Sequence, residues 1–191
     1  MHSDVALSPV TREATGGVDV SPAVGSVQAF TARLYGLLAT ERGNLVCSPY
    51  SVAVALAMTR NGARGRTAEE MDAVLQGPSA ERLDAAMNAL AQRLEDRAGT
   101  LDVACSLWGQ RDLRWEEPFL DALARHYGAG MRLVDYRSDP DGAARQISTW
   151  TTDATHGKIP ELIPAGVLDE MTRLVLVNAV YFKGTWAERF D

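Results

Sequence analysis

Leu174-Val175-Leu176-Val177-Asn178-Ala179-Val180-Tyr181-Phe182 decides the fold. β-Branched and aromatic residues dominate the run, and neither glycine nor proline interrupts it. A strand with one wet face would alternate apolar and polar residues. This run holds one polar member, so it reads as a central strand covered on both faces. Period-2 geometry puts Asn178 on the face of Leu176 and Val180. An amide buried there must find partners, or it costs about 1–3 kcal/mol for each bond lost.

Upstream, Leu101, Val103, Cys105 and Leu107 alternate with Asp102, Ala104, Ser106 and Trp108, which predicts another strand. Met131, Leu133 and Tyr136 predict a short one, and Leu45-Val46-Cys47 a shorter one still. Between these runs the period becomes helical. Val27, Phe30, Leu34, Leu37 and Leu38 share one face. Ser48 caps a helix with Pro49 at its first position. That helix carries Ser51, Val52, Ala53, Ala55, Leu56 and Ala57, apolar nearly all round, and reads as buried. Thr67-Ala68-Glu69-Glu70 is a capping box opening a helix through Leu75. Ser79 caps a helix with Leu83, Met87, Leu90 and Leu94 in one stripe, ending near Gly99. Pro118 starts a helix with Phe119, Leu120, Leu123 and Tyr127 apolar. Asp139-Pro140 opens one with Ala143, Ile147, Trp150 and Ala154 inward, and Gly157 ends it. Helices with interspersed strands give an α+β, mixed fold. Residues 1–21 show no periodicity and read as a flexible tail.

Composition narrows function. The 191 residues carry 19 Lys and Arg against 25 Asp and Glu, a net charge of -6. No basic surplus draws the chain to nucleic acid or to anionic membranes. No apolar run reaches the ~18 residues that a membrane-spanning helix needs. His2, His126 and His156 form no metal-binding pattern, and no cofactor is expected. Gly62-Ala63-Arg64-Gly65-Arg66-Thr67 lacks the Gly-Lys-Ser/Thr ending of a phosphate loop. Cys47 and Cys105 read as two small buried side chains. An unrelated cysteine hydrolase is the weaker enzymatic alternative, with Cys47 poorly placed for a thiolate. No catalytic residue is assigned.

Several longer motifs point to a family. Asn44-Leu45-Val46-Cys47-Ser48-Pro49-Tyr50-Ser51, Ala55-Leu56-Ala57-Met58 and the stretch from Gly62 to Met71 resemble the second and third helices of a serpin. Ile147-Ser148-Thr149-Trp150, Thr155, Gly157-Lys158-Ile159 and Leu162-Ile163 resemble the helix that crosses the main sheet. The run from Leu174 to Phe182, with Lys183-Gly184-Thr185-Trp186 and Phe190, resembles the third strand of that sheet. The likeness extends from about residue 22 to the last residue, the N-terminal portion of a single serpin domain. In the family, Asn usually stands where Ser148 and Cys105 stand, and Val where Thr151 stands.

The resemblance implies a serine protease inhibitor. A protease cuts an exposed loop, and the loop then enters the main sheet as a new strand, carrying the protease with it. It implies a conformational switch formed by Ser48, Ser51 and Asn178 with a histidine from the other half. Trp186 would stand at the top of the sheet, where the loop first enters. The partner would be a serine protease, met through a reactive loop in the C-terminal half. Family habit points to the extracellular space, although the first residues lack the pattern of a secretory signal. The 191 residues alone are then expected not to inhibit. Their last strand would be a long apolar edge prone to self-association. A non-inhibitory serpin, a carrier or a chaperone-like binding protein, is the alternative.

Overall fold

The computed structural model describes residues 4–6, 8–40, 42–95, 101–186 and 188. Four strands form one sheet: β1 (Asp4–Ala6), β2 (Leu101–Gln110), β3 (Met131–Val134) and β4 (Leu174–Phe182). Their order is β1-β3-β2-β4. β2 and β3 run parallel, joined by a crossover through α5 (Glu117–Tyr127), and the outer pairs are antiparallel. The remaining helices are α1 (Ser21–Leu38), α2 (Pro49–Arg60), α3 (Gly65–Leu75), α4 (Ala80–Glu95) and α6 (Pro140–Ala154).

Two apolar clusters hold the layers together. On one face of the sheet, Leu107 and Met131 pack with Phe30, Val54, Met58, Met87 and Leu123 of the helices. On the other, Trp108, Val134, Tyr136 and Val177 pack against Ala143 and Ile147 of α6. The alternation along β2 does this, because Leu107 and Trp108 point to opposite faces. Asp139 caps α6, accepting the Gly142 N–H at 2.8 Å. Such a cap is worth about 1 kcal/mol. Ser148 Oγ accepts the Leu162 and Ile163 N–H groups at 3.2 and 3.3 Å, which pins the connector after α6 to that helix.

Several expectations need correction. β4 pairs with β2 along its whole length and lies at the margin of the described sheet, which is the edge expected for these residues alone and not the central place that its composition suggests. Val177 and Ala179 are buried, whereas Phe182 is 70% exposed. α2 is not buried all round, because Val52 faces outward beside that margin. Leu45-Val46-Cys47 is an exposed loop and not a strand, since no described strand pairs with it. The box at Thr67 does not form. Arg64 is extended and α3 turns from Gly65 onward, so Thr67 already lies inside the first turn.

The segment before α1, expected as a flexible tail, makes specific contacts over its described residues. β1 pairs with β3. Arg12 Nε donates to Asn88 Oδ1 at 2.9 Å and its Nη1 to Glu95 Oε1 at 2.6 Å. The Glu13 N–H donates to the Arg125 carbonyl at 2.9 Å. Arg12 also lies across Gly128, the left-handed cap of α5 (φ 60), where a Cβ would meet its side chain at 2.8 Å. Long-range polar ties of this kind leave no periodicity in the sequence. The expected end of α4 near Gly99, together with His2 and Phe190, lies outside the described residues.

Candidate functional site

α2 and β4 meet at a polar cluster. Ser48 is the N-cap of α2, with extended backbone (φ -116), and Pro49 follows at the first helical position. Its hydroxyl accepts the Ser51 N–H at 3.4 Å and lies 2.8 Å from Ser51 Oγ. Ser51 is buried and Ser48 half-buried. Across a cleft of about 380 Å³, the facing wall is Leu176, Asn178 and Val180, the same-face residues of β4. Val52 and Ala55 complete the α2 side. Three of the residues singled out from the sequence, Ser48, Ser51 and Asn178, therefore line one cavity.

Asn178 is only half satisfied. Its Nδ2 donates to Cys105 Sγ at 2.6 Å, and Cys105 is its register partner on β2. Its Oδ1 is buried with no hydrogen-bond partner among the described residues. A buried acceptor left unpaired costs about 1–3 kcal/mol, so this oxygen is a ready receptor for a donor brought from outside.

Cys105 belongs to the cluster and was not singled out as a site residue. The departure from Asn at that position was its only signal. Burial pushes its thiol up to about 11, against the opposing pull of the Asn178 N–H. The group is therefore a neutral acceptor at pH 7 rather than a thiolate nucleophile. Cys47, read as buried, is exposed in its loop. Neither cysteine has the setting of an activated nucleophile, and the cluster can rearrange hydrogen bonds but offers no reactive pair.

Trp186 stands apart from this cavity. It follows the end of β4 and is 77% exposed. Nearer the strand's end, His156 Nε2 lies 2.8 Å from Asp102 Oδ2, and its ring meets Tyr181 edge-on at 4.5 Å. These contacts tie the turn after α6 to β2 and β4.

The described residues thus form a helix-backed mixed sheet with its last strand at the margin, above a small polar cluster. Residues 25–191 match the family described as serpin (serine protease inhibitor). The chain belongs to the serpin family. It is 37% identical over 151 residues to the leukocyte elastase inhibitor of Xenopus tropicalis, covering 78% of this chain and 40% of that protein. It is 38% identical over 175 residues to a serpin-like protein of Thermococcus kodakarensis, covering 88% of this chain and 40% of that protein. An Arabidopsis serpin in its native stressed conformation superposes with a TM-score of 0.78 at 28% identity, over 92% of this chain and 47% of that one. The cleaved form of a serpin designated Serpin 42Da gives 0.80 at 30% identity, over 91% and 47%. The chain thus spans about 40% of the length of the curated relatives it matches.

Proposed function

We propose that this sequence supplies the N-terminal half of a serine protease inhibitor that works by inserting its cleaved loop beside β4. Residues 22–191 would be one portion of a single serpin domain, acting as an inhibitor and not as a catalyst. The observation that supports this most is the margin of β4 lying directly over the Ser48–Ser51–Asn178 cluster. A strand added along the nine residues of β4 gains roughly one ladder bond per residue. At ~1 kcal/mol net for each bond, the gain is of the order of a domain's whole stability. That is enough to distort an attached protease before it can release itself.

The native state must then be held short of this minimum. Ser48, Ser51 and Asn178 are the residues we assign to that hold, with the unanswered Asn178 Oδ1 receiving a donor from the other half. By resemblance that donor is a histidine. Trp186 would mark the end of the sheet where the loop enters. Family habit again favours the extracellular space.

The Xenopus relative is named for inhibiting leukocyte elastase, so an elastase-type serine protease is the target to try first. Mixed with the complete protein, it should lose activity and form a covalent complex that survives boiling in SDS. Clean turnover of the loop with no such complex would favour the carrier or chaperone-like reading instead.

A further inference from the structure

Residues 8–15 lie against α4 and α5 and belong to no helix or strand. Asn88 of α4, 1% exposed, accepts the Arg12 Nε–H at 2.9 Å and donates its Nδ2 to the Glu13 carbonyl at 3.0 Å. Gln92, one turn further on, donates to the same carbonyl at 2.8 Å and accepts the Thr15 hydroxyl at 3.0 Å. From α5, the Arg125 carbonyl accepts the Glu13 N–H at 2.9 Å. Glu95 takes the Arg12 guanidinium at 2.6 Å, and Gly128 lacks the Cβ that would block the path of that side chain. Beyond these ties the chain turns, with the Val18 N–H donating to the Thr15 carbonyl at 3.1 Å. Gly16 and Gly17 form the turn, Gly17 at φ 81 as its second central residue requires. Both are exposed, and no described atom lies within 4 Å of where a Cβ would stand on either.

The two helices read a short pattern. One residue has both backbone groups taken, an arginine stands directly before it, and a hydroxyl follows two positions later. Main-chain bonds of this kind give affinity to a bound peptide, and the side-chain positions give it specificity. The Glu13 side chain adds only a 3.6 Å approach to Arg125, with both groups about half exposed, and such a pair is worth little. Glu13 and Ala14 are exposed, so those two side chains are free to vary. We infer that the groove between α4 and α5 is a binding site for peptides of the form Arg-x-x-Thr, and that residues 8–15 are its resident ligand, tethered through Gly16-Gly17 and separable from the core. The loop-insertion reading uses neither the groove nor the segment.

The test uses the complete protein, folded first and then cut at a cysteine-protease site placed between Gly16 and Gly17. A fluorescent peptide of residues 1–18 is added, and its anisotropy follows exchange with the cut segment. The peptide should exchange overnight and, once dialysis has removed the cut segment, bind the emptied groove with Kd below about 100 µM. Arg12→Ala in the peptide should weaken binding by about tenfold or more, because it loses a charge-assisted pair. Glu13→Ala in the peptide should change it by less than about threefold. Gln92→Ala in the protein should weaken binding by about tenfold while leaving the emptied protein folded. A cut segment that never exchanges, or a protein that unfolds once the segment leaves, would make residues 8–15 part of the core and overturn the assignment. Absence of peptide binding at about 100 µM would overturn it as well. So would equal binding of the Arg12→Ala peptide, or wild-type affinity in the Gln92→Ala protein.

Discussion

Expressed by itself, the 191-residue chain is expected to self-associate through β4. The strand is nine residues long, with Asn178 as its one polar member, and carries no proline, glycine or charge. Its inner edge is satisfied by β2, and among the described strands its outer edge has no neighbour. A long apolar edge with free N–H and C=O groups is a template for another copy. Phe182, 70% exposed at its end, adds sticky surface. Sedimentation or size exclusion at micromolar concentration should show oligomers. The double substitution Val180→Lys with Phe182→Lys should return much of the material to monomer, because charge on an edge strand opposes pairing. A wild-type chain that runs as a monomer and melts cooperatively would contradict this reading of β4.

The second large effect is expected at Asn178, and it should depend on how much of the protein is present. In the 191-residue chain, Asn178→Ala removes one N–H···S contact but also a buried oxygen that has no partner among the described residues. The two changes oppose each other, so the net cost should be small. In the complete protein the same oxygen would have its donor. There the substitution should cost about 1–3 kcal/mol, lower the denaturant midpoint, and speed both sheet opening and polymer formation. For the shorter chain the comparison is made with Phe182→Lys present and below the concentration at which oligomers form, so that self-association does not mask the change in stability. The complete protein needs no such background, because its β4 margin would be covered. Equal losses at the two lengths would contradict a donor from the other half. Unchanged inhibition kinetics and polymer formation in the complete protein would contradict the switch role.

Local chemistry made much of this legible in advance. Ser48-Pro49 carries the start of α2 because a hydroxyl cap and a residue without an N–H both suit a helix end. The run from Leu174 to Phe182 reads as a strand because its branched and aromatic residues fit a pleated surface. Period 2 put Asn178 beside Leu176 and Val180, and all three line the observed cleft. What stayed hidden was tertiary. Cys105 joins the cluster only through strand register, which pairs it with Asn178 across a gap of 73 positions. The ties of Arg12 to α4 and of Glu13 to α5 come from single polar contacts with no local pattern. Leu45-Val46-Cys47 has a strand's composition, but a strand also needs a neighbour, and no described strand supplies one.

In the proposed mechanism β4 is the seam at which a severed loop enters. The direct measurement is a crystal structure of the complete protein after cleavage of its reactive loop, beside that of the intact form. The predicted result is a new strand hydrogen-bonded along Leu174–Phe182, on the edge opposite β2. A cleaved form in which that edge keeps the neighbour it had before, with the loop outside the sheet, would contradict it.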